Sequence, residues 1–131
     1  MKSTYPIENN TNPLSISVNV SSTADAVTVV LHSADGASWQ NFPFTQIDGN
    51  VPESVMGKAN ALKGQTIMIS VVLDFSKIAK ANRKDAMTQT TIRYTLKGGT
   101  GGDANLQPDT DDWQKSSSGR TAWVRKQILL A

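Results

Sequence analysis

A two-residue alternation of apolar and polar side chains recurs along this chain and constrains its fold more than any other feature. In LSISVNVS, residues 14–21, Leu14, Ile16, Val18 and Val20 take one parity, and Ser15, Ser17, Asn19 and Ser21 take the other. Successive side chains of a strand point to opposite faces, so this run reads as a strand with one face in a core and one in water. AVTVVLH, residues 26–32, repeats the pattern with Val27, Val29 and Leu31. The polar STAD between the two runs is suited to a turn, and a hairpin is the expected pairing.

Further along, QTIMISVVLDFS places Ile67, Ile69, Val71, Leu73 and Phe75 on one parity, with Met68 and Val72 adding apolar character opposite. This run reads as a central strand. TQTTIRYTLK brings Ile92, Tyr94 and Leu96 to one face, with Thr91, Arg93, Thr95 and Lys97 outside. The last run, TAWVRKQILLA from residue 121, is apolar on both parities, which predicts that a terminus or a neighbouring subunit covers it.

Asp35-Gly36, Asp48-Gly49 and Pro52 interrupt these runs. Between them, WQNFPFTQI sets Phe42 and Phe44 on one face with Pro43 between, as an edge strand or bulge permits. Residues 50–63 read as a connection with one helical turn, and SKIAKANRKDAM as a short helix near 76–86 capped by Ser76. The expectation is an all-β antiparallel sandwich of six to seven strands, with a partly open barrel as the alternative.

At 131 residues, the expectation is one domain, 1–131, in which residues 1–12 are a flexible or edge-covering segment. A chain of this size buries roughly two thirds of its unfolded surface on folding. The net charge of +2 is not the clustered basic excess of a nucleic-acid binder. With no cysteine there is no disulfide framework, thiolate metal site or cysteine nucleophile. The opening MKSTYPIENNTNP lacks the apolar run of a secretory signal, and no segment approaches a membrane span, so the expected location is cytoplasmic by default, without membrane insertion.

GGTGGDANLQPDTDDW, residues 98–113, is the stretch that most resembles a site. Its glycines are not followed by the lysine and hydroxyl of a phosphate loop. Asp103, Asp109, Asp111 and Asp112 offer oxygen ligands for calcium, but without the spacing and closing glutamate of the helix-loop-helix site. A solvated connection is the expected role, and no metal or cofactor is expected. Trp39 with Asn41, and Trp113 with Gln114, have the makeup of a sugar platform, an indole face beside amide groups. His32 is the single histidine, and it and Ser33 are strand neighbours that face opposite sides, so a hydrolytic triad is not expected. The basic segment Lys77 to Lys84 lacks interleaved aromatics and reads as a solvated face. Together these readings predict a non-catalytic interaction or structural module whose partner is another protein or a second copy of itself. A carbohydrate-binding module using Trp39, Asn41, Trp113 and Gln114 is the alternative.

Overall fold

Alternating runs that each bury one face need two sheets to enclose a core, and the chain supplies them. The computed structural model describes residues 3–131. The strands are β1 (Ser3–Tyr5), β2 (Pro13–Ser21), β3 (Asp25–Ser33), β4 (Gln40–Asn41) and β5 (Val51–Lys58). After the helical turn α1 (Ala59–Leu62) come β6 (Thr66–Asp74), helix α2 (Arg83–Thr88), β7 (Thr91–Lys97), β8 (Ala104–Leu106), β9 (Trp113–Lys115) and β10 (Thr121–Leu130). One sheet runs β1-β10-β6-β3-β4, with β9 also on β10, and the other runs β5-β2-β7-β8. All pairings are antiparallel except β1 on β10. The all-β sandwich expected from the alternation is the observed fold.

The core lies between the sheets. Leu14, Ile16, Val18 and Val20 of β2 and Ile92, Tyr94 and Leu96 of β7 face Ile67, Ile69, Val71 and Leu73 of β6, all buried. As expected, β6 is central, paired on both sides along its whole length. Phe75 follows it into the core and is fully buried.

Three local expectations are corrected. β2 and β3 do not form a hairpin: β2 pairs with β5 and β7, whereas β3 pairs with β6 and β4, so the polar link crosses from one sheet to the other. The alternation sets which face is buried but not which sheet a strand joins, and a short polar link serves either path. Residues 51–58 form a strand rather than a connection. Pro52 and Gly57 are tolerated there because β5 is an edge strand whose pairing with β2 is interrupted by register shifts. The helix starts at Arg83, after a 3-10 turn over Lys80–Asn82, and Ser76 does not cap it. The backbone N–H of Ser76 instead donates to Asp74 Oδ1, which fixes the turn leaving β6.

A further correction concerns β3. Its inward side chains are Ala26, Thr28 and Val30, all buried, while Val27 and Val29 are 52% and 37% exposed. The parity that looked like the core face therefore points away from the core. The inward hydroxyl of Thr28 is satisfied because it donates to Gly49 O at 2.6 Å. Residues 42–50 bring Gly49 to that position and close the open edge of the sandwich, with Phe42 and Phe44 stacked 4.9 Å apart against the core. Among the described residues no helix is long and apolar enough to cross a membrane.

Candidate functional site

The inward parity of β10 reads Ala122, Val124, Lys126, Ile128, Leu130, and every one of these residues is buried. A lysine thus stands in the middle of an apolar row. Taking an ammonium out of water is costly unless a carboxylate meets it. Lys126 Nζ lies 3.1 Å from Asp109 Oδ2 and 3.5 Å from Asp112 Oδ2. The Lys126 and Asp112 side chains are 2% and 4% exposed, and that of Asp109 is 45% exposed.

Both acids are held by one short 3-10 turn, Thr110–Asp112, with Asp109 as its N-cap. The Asp109 side chain accepts from the Asp112 backbone, and Asp112 Oδ2 accepts from the Asp109 N–H at 2.7 Å. This turn lies on the link that carries the chain from β8 in one sheet to β9 in the other. Beside it, on the opposite wall of the core, is the fully buried Tyr94. Its hydroxyl is the one buried side-chain polar atom among the described residues with no hydrogen-bond partner. Burial first, and the negative charge of Asp112 second, raise the Tyr94 pKa far above the ordinary tyrosine value.

The sequence reading did not single out Lys126. The signal was present, a cation on the apolar parity of TAWVRKQILLA, but apolar residues on both parities hid which one faced inward.

The calcium candidates do not gather. Asp109 and Asp112 meet Lys126, Asp111 is exposed, and Asp103 lies before β8, where its charge acts on Tyr5 and Lys97. Among the described residues no group of three or more histidine, cysteine or acidic side chains is placed to hold a metal. The glycines ahead of them have a packing role. The Gly99 N–H donates to the Tyr5 hydroxyl at 2.8 Å, and that hydroxyl donates to Gly102 O at 2.7 Å. A Cβ on Gly99 would lie 2.5 Å from the Tyr5 ring, and one on Gly98 would collide with Pro13 O. The run is thus a clasp for the N-terminal segment, and residues 98–112 are not simply a solvated connection, since they also supply β8 and the buried Asp112.

The two tryptophan pairs are set apart. Trp39 and Asn41 lie at the β4 edge of their sheet, and Trp113 and Gln114 lie on β9 beyond β10. Four strand spacings of about 4.8 Å separate those edges, roughly 19 Å in all. Trp113 packs partly buried against the core, on the parity of its partner Val124, whereas Gln114 is opposite Trp123. Trp113 and Gln114 do line an open groove of about 930 Å³ with Lys80, Lys84, Arg83 and Lys115. Arg83 is already engaged there, donating to Ile78 O and Ser118 O. His32 is engaged as well, 2.9 Å from Gln65 Oε1 and stacked on Phe42 at 4.4 Å.

The outer faces of the two sheets differ sharply in chemistry. Outside β2 and β7 stand Ser15, Ser17, Asn19, Arg93 and Thr95, as expected for a wet face. Outside β3, β6 and β10, registered rows run Val27–Val72–Trp123, Val29–Ser70–Arg125 and Leu31–Met68–Gln127, with Leu129 beyond. This second face is largely apolar. β1 pairs along part of the edge of β10, and at the Ser33–Thr66–Leu129 end of this face Ser33 and Thr66 are buried.

Comparison with protein-family models, with curated proteins and with solved structures finds no match for this chain.

Proposed function

We propose that this domain is a non-catalytic assembly module that associates with a second copy of itself through the outer face of the β3, β6 and β10 sheet. The observation that carries the reading is the registered row Val27–Val72–Trp123, with Val27 52% exposed. A sheet that faces water normally alternates apolar-in with polar-out, as the other sheet of this domain does. Monomers seldom leave a contiguous apolar face uncovered, and larger ones mark interaction surfaces. The face also carries Arg125 in one row and Asp74 at one end, where Asp25 is already paired with Lys77 at 3.0 Å, so a second copy can set its Asp74 against Arg125 and the reverse.

Chromatography with light scattering tests the proposal. The unmodified chain should elute as a dimer or larger at micromolar concentration. Val27→Lys combined with Val29→Lys should elute as a folded monomer, because two charges on an exposed face disrupt association without entering the core. A wild-type chain that is strictly monomeric would overturn the reading.

A sugar-binding reading keeps one specific support, the placement of Trp113 and Gln114 at the rim of the basic groove. The lysines there favour an acidic sugar over a neutral one. Titration with acidic oligosaccharides, read by tryptophan fluorescence in wild type and Trp113→Phe, decides it. A saturable change lost in the variant supports this reading, and no change removes it.

A further inference from the structure

We infer that Lys126 and Asp109 are placed to join in an intramolecular isopeptide bond, with Asp112 as the carboxyl that carries the protons. The reacting groups are already in contact, with Lys126 Nζ 3.1 Å from Asp109 Oδ2. One group stands on a strand fully paired with β6, and the other caps a turn that its own hydrogen bonds hold in place. Positioning of this kind lowers the barrier to a step that is slow between free amines and carboxylates.

The step balances without any added reagent. One ammonium proton passes to Asp112, and the freed Nζ lone pair attacks Asp109 Cγ. The former carboxylate oxygen leaves as water, taking both hydrogens that the nitrogen gives up. An N–C bond forms, a C–O bond breaks, Asp112 ends as a carboxylate, and nothing is oxidised or reduced.

The site favours that outcome in two ways. The product turns the buried ammonium into a neutral amide, whose N–H stays beside Asp112 as a donor next to the Asp109 N–H that Asp112 already accepts. The half-exposed side of Asp109 gives the departing water a path to solvent. The bond would tie the last strand to the link between the two sheets. It rests on different residues from the assembly proposal, and either can fail alone.

Tryptic mapping of the purified full chain tests it. The predicted product is a branched peptide in which residues 98–115 are joined through Asp109 to residues 126–131, with an intact mass lower than the sequence mass by one water. Lys126→Arg keeps the charge but cannot form the bond, and should show the full sequence mass. Asp112→Asn should leave Lys126 unmodified in a chain whose circular dichroism is unchanged. The inference is overturned by a wild-type chain of full sequence mass in which trypsin cleaves after Lys126. It is overturned equally by a branch at Asp112, or by a water loss that maps to Asp35-Gly36 or Asp48-Gly49 with no branch. If a variant fails to fold, the wild-type peptide map still decides.

Discussion

Val27 of β3 stands directly opposite Val72 of β6, and both side chains lie on the outside of the sheet, away from the core. Cross-strand apolar neighbours of this kind normally mark the buried face of a sheet. Here the buried face lies on the other side, where Ala26, Thr28 and Val30 meet the core. The sheet therefore has two apolar faces and one core, and the assembly proposal follows from that excess.

Replacing Lys126 with methionine should destabilise the fold, although it puts an apolar side chain into an apolar row. The substitution takes the cation away from Asp112, whose side chain is 4% exposed. Removing one member of a buried ion pair costs about 3 kcal/mol or more. Urea unfolding should show a lower midpoint with an unchanged slope, the sign that stability and not compactness has changed.

Tyr94→Phe should act in the opposite direction. The fully buried hydroxyl has no hydrogen-bond partner, so its loss removes a desolvation cost without removing a bond. A gain of about 1 kcal/mol is expected, read as a rise in Tm of about 4 °C. A fall in Tm would mean that the hydroxyl is bonded in solution.

The glycine run separates into positions that pack and positions that do not. Gly98 has a φ of 100° and Gly99 lies against Tyr5, so alanine at either should cost about 2 kcal/mol. A Cβ on Gly101 meets nothing within 4 Å, so alanine there should change stability by less than about 0.5 kcal/mol. Equal effects at all three positions would contradict the clasp.

These contrasts show what the sequence made legible. Leu14 to Val20, Ile67 to Phe75 and Ile92 to Leu96 could be assigned to the core from parity alone, because their opposite parity is polar or clearly weaker. β3 could not, since Ala26, Thr28 and Val30 do not outrank Val27, Val29 and Leu31 in hydrophobicity. The facing is set by non-local pairing: the register on β6 puts Thr28 beside the buried Val71 and Val27 beside Val72 outside, and Thr28 is satisfied by Gly49, 21 positions away. β10 was ambiguous for the same reason, and its ambiguity concealed Lys126. The turn at Asp109–Asp112 read as surface because aspartates usually are. Its burial depends on a lysine 14 or more residues away, which no local pattern reveals.

The Asp35 turn predicts a pH response at the acid end. The Asp35 carboxylate accepts bonds from the Ser38 and Ala37 amides and from the Ser33 hydroxyl, which lower its pKa from 3.8 to about 2. A depressed carboxylate pKa gives a contribution present above the ordinary value and lost as pH falls through the folded one. In an NMR titration the amides of Ala37 and Ser38 should therefore shift with a midpoint near 2. A midpoint at 3.8 would show that these bonds do not hold the carboxylate in solution.

Sedimentation equilibrium of the unmodified chain across the micromolar range tests the assembly proposal most directly. The prediction is a weight-average mass that rises with concentration toward twice that of the chain or more, with the rise abolished by Val27→Lys and Val29→Lys together. A mass equal to one chain at every concentration would contradict self-association through the Val27–Val72–Trp123 face.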